Sequence, residues 1–274
     1  MKNEQTTLIL GGAGKTGRRV AERLTARGLP VRLASRAGAT RFDWADDSTW
    51  AAALRGAASV YMTYYPDLAS PAAADQIRRL SALARGSGVR RIVLLSGRGE
   101  PQVLPAEQAV RESGVPFTIL RAAWFCQNFS EGNLQEAVLS GEVAFPAGDV
   151  AEPFIDADDI ADVAVAALTD DAHAGAIYEL SGPRLLTFGD AVAEIARASG
   201  REVRYVPISF EEYASALAAH VPAEHVDFLV DLFRTILDGH NAHLSGGVER
   251  VLGRSPRDFT DFARDAAAAG AWNR

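Results

Sequence analysis

The segment LILGGAGKTGRRV, residues 8–20, constrains this chain more than any other. An apolar run stops at glycine, and a helical pattern begins within a few residues. Gly11, Gly14 and Gly17 give the spacing G-x-x-G-x-x-G. A strand, a glycine turn and a helix in that order meet three needs of dinucleotide binding. These are a tight turn, close approach of backbone to a pyrophosphate, and close packing of helix on sheet. The helix N-terminus then directs N–H groups and the positive end of its dipole at the phosphates. Lys15 and Thr16 share the turn and join the three glycines as candidate cofactor-binding residues. Gly14-Lys15-Thr16 also imitates the end of a triphosphatase loop. That motif needs glycine five residues earlier, where this chain has Ile9 inside the strand, so a dinucleotide is the better reading.

The rest of the first half alternates strands with helices. Strands are expected over 6–12, 30–36, 58–66, 90–97 and 116–122, and helices over 18–27, 49–54, 72–87 and 105–113. Such alternation indicates a parallel sheet with helices on both faces. The strands are near-continuous apolar runs, as strands covered on both faces are. The expected fold class is α/β, a Rossmann-like doubly wound parallel sheet with a smaller C-terminal substrate lobe. The rhythm changes near residue 123. A strand entering a helix is expected over 154–171 and short strands over 178–182 and 201–209. Helical patterns follow over 187–199, 210–219 and 222–239, with an Ala-rich helix at the end. Residues 1–150 are expected to form the dinucleotide-binding domain. Residues 151–274 are expected to form mostly the lobe, partly interleaved with the core and sharing a cleft with it.

Charge and cysteine use narrow the partners. The 274 residues carry 28 Lys+Arg against 35 Asp+Glu, a formal net charge of -7. A phosphate-tracking surface needs an excess or a stripe of basic residues, so no nucleic-acid partner is expected. Cys126 is the only cysteine and is expected to be buried and inert. No apolar run approaches the ~20 residues that span a bilayer, and the cytoplasm is the expected location. His240-x-x-His243 and the pair His220 and His225 lack a third ligand, so no metal site is expected. Asp156, Asp158, Asp159 and Asp162 read as a helix start and not as a catalytic carboxylate pair.

Cofactor choice is read at the end of the second strand. An acid there would hold the ribose 2′-hydroxyl of NAD. This chain has Ser35-Arg36, and an arginine suits a 2′-phosphate. NADPH is therefore expected, with NADH as the alternative. Thr63 and Ser96, at the ends of later strands, complete the cofactor candidates.

Several stretches together resemble the NmrA-like branch of the atypical short-chain dehydrogenase/reductases. EQAVRESGVPFTILRAAWFCQNF, residues 107–129, resembles a family stretch at Glu107, Ser113, Gly114, Thr118, Leu120, Arg121, Phe125 and Asn128. FIDADDIADVAVAAL (154–168), YELSGPRLLTFGDAVAEIARASGREVRYVPISFEEY (178–213) and LGRSPRDFTDF (252–262) are similar to later family segments. The resemblance implies a Rossmann-like sheet with a small lobe. The family includes NADPH-dependent quinone reductases, enzymes acting on phenolic or polyketide products, and redox sensors that bind dinucleotide without catalysis.

Ordinary short-chain dehydrogenases use a Tyr-x-x-x-Lys pair to move the substrate proton. No such pair occurs here, because Lys2 and Lys15 are the only lysines. The expected function is hydride transfer from NADPH to a quinone or aromatic polyketide-like substrate, chemistry that tolerates the loss. The alternatives are a dinucleotide-binding sensor or regulator, and an unusual oxygenation or deoxygenation enzyme of aromatic polyketides. Tyr64, Tyr65 and Arg98 are the candidate catalytic residues. Trp124, Phe125, Asn128 and Phe154 are the candidate substrate contacts for a flat aromatic ligand. The oligomeric state stays open.

Overall fold

A computed structural model describes residues 6–219 and 221–273. Its strands are β1 (Thr6–Leu10), β2 (Val31–Ser35), β3 (Thr40–Arg41), β4 (Ala57–Met62), β5 (Arg91–Gly97) and β6 (Phe117–Ala122). They continue as β7 (Glu142–Phe145), β8 (Ala151–Glu152), β9 (Ile177–Leu180), β10 (Leu186–Thr187) and β11 (Arg204–Pro207). The helices are α1 (Lys15–Ala26), α2 (Trp50–Leu54), α3 (Ala73–Gly86), α4 (Leu104–Arg111), α5 (Asn128–Glu131) and α6 (Gln135–Ser140). They continue as α7 (Ala157–Thr169), α8 (Phe188–Ser199), α9 (Phe210–Ala218), α10 (Ala223–Ile236), α11 (Gly247–Leu252) and α12 (Phe259–Ala268).

The chain divides into two compact units. The first takes the chain up to Ala122, then Ala157–Leu180 and Gly247–Arg254. The second takes Ala123–Asp156, Ser181–Gly246 and the chain from Ser255 onward.

The first unit is built on a seven-stranded sheet in the order β3-β2-β1-β4-β5-β6-β9. Every pairing in it is parallel. The centre is fully buried, with Leu8, Ile9, Leu10, Val60, Tyr61, Ile92, Val93, Ile119 and Leu120 at 0% exposure. Right-handed crossovers place α1 on one face and α3 and α4 on the other. Helix α7 packs against α1, and α3 packs against α4. The order reverses between β1 and β4. That switch point, at the carboxyl ends of the strands, is where such sheets bind ligands.

The four acids read as a helix start divide between the units. Asp158 and Asp159 lie in the first turn of α7. Arg23 on α1 meets Asp158 at 2.6 Å and Asp162 at 2.5 Å. Arg254 meets Asp159 at 2.7 Å and Asp162 at 2.6 Å. The carboxylates are thus spent on clamping α1 and α11 to α7. Asp156 lies in the second unit and accepts a hydrogen bond from Gln127 Nε2 at 2.9 Å.

The second unit holds two small sheets, an antiparallel β10-β8 pair and a parallel β11-β7 pair. Helix α8 packs on α12, and α9 on α10. Its core is aromatic, with Phe129, Phe145, Phe154, Phe188 and Phe259 all buried. Arg184 ties β10's approach to α12 through Asp258 at 2.7 Å and to α8 through Glu194 at 2.6 Å.

Of the element boundaries that differ from the sequence expectation, two bear on the glycine turn. Helix α1 starts at Lys15, three residues ahead of Arg18. Gly14 is the extended N-cap, and its N–H closes the turn on the Gly11 carbonyl at 2.8 Å. Strand β4 stops at Met62 and not at Pro66, and the next residue, Thr63, donates its hydroxyl to the Leu10 carbonyl at 3.0 Å. Elements β3, α5, α6, β7, β8, β10 and α11 were not anticipated. No helix among the described residues is long and apolar enough to cross a membrane.

Candidate functional site

The glycine turn is a backbone cradle. Gly11 has φ +69°, a conformation that favours glycine, and a Cβ there would lie 2.4 Å from Thr63 Oγ1. A Cβ on Gly17 would lie 2.3 Å from the Gly11 carbonyl oxygen, and one on Gly12 would lie 2.9 Å from Leu33 Cβ. The first turn of α1 therefore sits directly on the turn that follows β1. Helix α1 carries no acidic residue in its first turn, so nothing there repels a phosphate. A first helical turn lacks intrahelical acceptors for its N–H groups, which suits it to an anion. These features fit a dinucleotide pyrophosphate. Lys15 opens the helix. Thr16 is buried beneath it, beside the Tyr61 hydroxyl.

Around the switch point the candidates separate into pairs. Ser35 closes β2, and its carbonyl accepts the Phe42 N–H at 3.0 Å. Arg36 is exposed, with its guanidinium 4.6 Å from the centroid of the Tyr65 ring. No carboxylate pairs with Arg36 among the described residues, so the cation is available to a phosphate. Tyr65 is 60% exposed. Tyr64 lies 4.7 Å from Trp44, ring to ring, and its hydroxyl donates to Gln76 Oε1 at 2.6 Å. Burial raises the Tyr64 hydroxyl pKa. Tyr65 thus pairs with a residue that follows β2, and Tyr64 with one that follows β3 and one on α3.

Ser96 and Arg98 belong to a buried polar network. Ser96 donates to Glu107 Oε1 at 2.7 Å. Arg121 holds both oxygens of the same carboxylate, at 2.9 and 2.6 Å. Glu107 is 2% exposed. Arg98 is buried, and its Nε donates to Glu179 Oε2 at 3.3 Å. Beyond the network, Glu100 folds back over Gly97, with Asp67 acting on it from the segment after β4. Sequence reasoning missed Glu100 and Asp67. The available signal was Gly97, a glycine at a strand end with a carboxylate three residues on.

The substrate candidates all lie in the second unit. The Trp124 ring contacts Phe188 at 5.3 Å, Phe233 at 5.5 Å and Phe145 at 5.6 Å between centroids. Its indole N–H is buried without a hydrogen-bond partner. Tyr213 packs on Phe145 and Phe233, at 5.5 and 5.7 Å, and burial pushes its hydroxyl up to about 12. Phe145, Phe233 and Tyr213 were not singled out from sequence; they reach Trp124 only through the fold. Phe125 is partly exposed and bridges to Ile155. Asn128 is half-buried at the start of α5, and its carbonyl accepts the Leu134 N–H at 3.1 Å. Phe154, 2% exposed, is locked among Phe129, Phe188 and Phe259 in the core. Cys126 is buried. His220 lies outside the described residues, and among those described no three His, Cys, Asp or Glu side chains are placed to hold a metal ion.

Comparison with known proteins extends the pattern to the full chain. A family described as NAD(P)H-binding matches residues 11–171, and the NmrA-like family matches residues 104–262. The uncharacterized oxidoreductase YesF of Bacillus subtilis is 33% identical over 285 residues, covering 99% of this chain and 98% of that one. The NAD(P)H azoreductase of Xenophilus azovorans is 30% identical, covering 96% and 98%. The Escherichia coli NADPH-dependent quinone oxidoreductase, solved with NADPH, superposes with a TM-score of 0.74 at 22% identity. That match covers 94% of this chain and 99% of the other.

Proposed function

The chain belongs to the NmrA-like family of NAD(P)H-binding oxidoreductases, and from that premise we propose that it reduces a quinone or a similarly flat aromatic acceptor with NADPH. The turn from Gly11 to Gly17 carries the reading, because its close backbone packing seats the first turn of α1, with its N–H groups, directly on the end of β1 where a pyrophosphate would lie. When bound, NADPH supplies the hydride. Gly11, Gly14, Lys15 and Gly17 would hold the pyrophosphate, and Arg36 the 2′-phosphate. Ser35 and Thr63 would shape the backbone around the ribose. Thr16 and Ser96 would support that surface from beneath. Trp124, with Phe125 and Asn128, would receive the aromatic acceptor, and the Trp124 N–H would donate to its oxygen. An azoreductase among its relatives and a quinone oxidoreductase that shares its fold support the choice of class.

Arg36 decides between the two nicotinamide cofactors. A charge-assisted hydrogen bond contributes ~1.5–3 kcal/mol, so Arg36→Ala is expected to weaken NADPH binding by about 10- to 100-fold. NADH binding should change little. Calorimetric titration of both cofactors reads this directly, and an unchanged preference would remove Arg36 from the role.

Trp124→Phe keeps an aromatic ring, though a smaller one than the indole, and removes the N–H. A neutral hydrogen bond contributes ~0.5–1.5 kcal/mol, so KM for the acceptor should rise about 3- to 10-fold with NADPH affinity unchanged. Steady-state kinetics against benzoquinones, naphthoquinones and azo dyes tests this variant and the acceptor class together. Tight NADPH binding with no turnover on any of them would favour a sensor.

A further inference from the structure

The segment that follows β4 is pinned to the sheet edge from several sides. Thr63 gives its hydroxyl to the Leu10 carbonyl of β1 at 3.0 Å, and its own carbonyl accepts the Trp44 indole N–H at 3.1 Å. Tyr64 lies against the Trp44 ring and donates to Gln76 on α3. Trp44 is itself held by Phe42 and Trp50, at 5.1 and 5.9 Å between ring centroids. The next residue, Tyr65, stands outside this packing. At 60% exposure it is the most exposed large apolar side chain among the described residues. Its hydroxyl forms no hydrogen bond among them. The core makes no use of this ring, and what the ring touches is a cation.

That cation, Arg36, comes from the other flank of β1. In the sheet order β2 and β4 lie on either side of β1, so the end of β1 and its glycine turn stand between the two loops. The backbone of the Arg36 loop is fixed as well. Ser35 pairs with Arg41 across β2 and β3, and the Ser35 carbonyl accepts the Phe42 N–H at 3.0 Å. A Cβ on Gly38 would lie 2.7 Å from Ser35 Oγ, so the loop is tightly closed. From it the guanidinium reaches Tyr65, 4.6 Å from the ring centroid. It forms no hydrogen bond or ion pair among the described residues. The ring face attracts the cation through its quadrupole and leaves the N–H groups at the guanidinium edge for a phosphate.

We propose that Tyr65 is a positioning residue that selects NADPH over NADH, its ring holding the Arg36 guanidinium in place for the 2′-phosphate before the cofactor arrives. The proposal rests on the NADPH reading above, and it gives Tyr65 a role other than the catalytic one expected from sequence. An arginine without a partner samples many rotamers, and a ligand that captures it has to order it. The stack on Tyr65 does that ordering in advance. A carboxylate in place of the ring would also hold Arg36, but it would offset the positive charge that a phosphate is drawn to. A neutral ring holds the arginine and leaves its charge intact. NADH carries no 2′-phosphate, so an ordered Arg36 gives it nothing. The hydroxyl takes no part, because the ring face alone meets the cation.

The test titrates NADPH and NADH calorimetrically into wild type, Tyr65→Ala, Tyr65→Phe, Arg36→Ala and the double variant Arg36→Ala/Tyr65→Ala. A cation–π contact at an exposed site supports about 2- to 5-fold in affinity. Tyr65→Ala should weaken NADPH by that factor and leave NADH unchanged. Tyr65→Phe keeps the ring and should match wild type. The double variant should bind NADPH as Arg36→Ala does, with no further loss, because the ring acts only through the arginine. Adenosine 2′,5′-bisphosphate and adenosine 5′-phosphate, which differ in the 2′-phosphate alone, should repeat the contrast. Equal losses for both cofactors in Tyr65→Ala would mean that the ring meets the adenosine they share, and would overturn the proposal. Unchanged affinities in Tyr65→Ala, or a further loss in the double variant, would overturn it too. These results leave the NADPH reading standing. An NADPH preference that survives Arg36→Ala would instead overturn that reading and the proposal with it.

Discussion

Gly17→Ala is expected to bind NADPH about a thousand-fold more weakly than the native chain, a loss of ~4 kcal/mol. The added methyl would stand 2.3 Å from the Gly11 carbonyl oxygen, a backbone atom that has no rotamer to escape into. Relief requires the first turn of α1 to lift off the turn by roughly 1 Å, since carbon and oxygen pack at about 3.3 Å or more. That displacement pulls the N–H groups away from the pyrophosphate. Losing two charge-assisted hydrogen bonds at ~1.5–3 kcal/mol each accounts for the effect. The fold should survive, because overpacking costs ~1–3 kcal/mol and the strain is confined to one helix end. Fluorescence titration with NADPH, alongside circular dichroism, separates binding from folding. Native affinity in a folded Gly17→Ala protein would mean that the cofactor does not use this turn.

Glu107→Ala is expected to destabilise the protein by ~3–5 kcal/mol, the cost of breaking a buried ion pair from one side. Glu107 is 2% exposed and receives Ser96 and both arms of Arg121. Removal strands a guanidinium whose other carboxylate, on Glu179, lies 3.9 Å away. It also leaves the Ser96 hydroxyl without its acceptor inside the sheet edge. Urea denaturation reads the loss as a shift in midpoint at unchanged slope. A shift below about 1 kcal/mol would mean that water replaces the carboxylate readily and that the network is ornamental to stability. Replacing Glu107 and Arg121 together by apolar residues should recover part of the loss, since no charge is then stranded.

The same bookkeeping of buried carboxylates gives Glu100 the opposite sign. Its folded pKa lies above the value of a free glutamate, so the native state holds a proton that the unfolded chain has released. Its contribution to stability is present below the unfolded pKa and lost as pH rises towards about 8. Glu100→Gln should therefore be more thermostable than wild type at pH 9 and little different at pH 4.

Local and periodic features were readable in the sequence. The apolar runs of β1, β4, β5 and β6, the glycine turn and the amphipathic α3 and α10 each depend on residues within one element. The parallel sheet covered on both faces follows from their alternation with helices. Strands β7 and β11 were a different matter. Each has four residues, and Arg204 pairs in register with Glu142 across the whole of α7 and α8. Nothing within β7 announces a partner so distant.

The candidate site divided in the same way. Gly11, Gly14 and Gly17 act through their own backbone, so spacing sufficed. Arg36 could be singled out by its place after β2, but its stacking on Tyr65 joins two separate loops. The Trp124 group draws on Phe145, Phe188, Tyr213 and Phe233 from four elements, and Glu100 matters only because it folds back over Gly97. A side chain whose role is set by what it lands on leaves no spacing to read.

The most direct test of the account uses NADPH deuterated at the transferable C4 position, mixed anaerobically with a naphthoquinone and the protein. The account predicts acceptor-dependent oxidation well above the buffer rate, one hydroquinone per NADP⁺ formed, and a slower rate with the deuterated cofactor. Tight NADPH binding with no acceptor-dependent oxidation would contradict it.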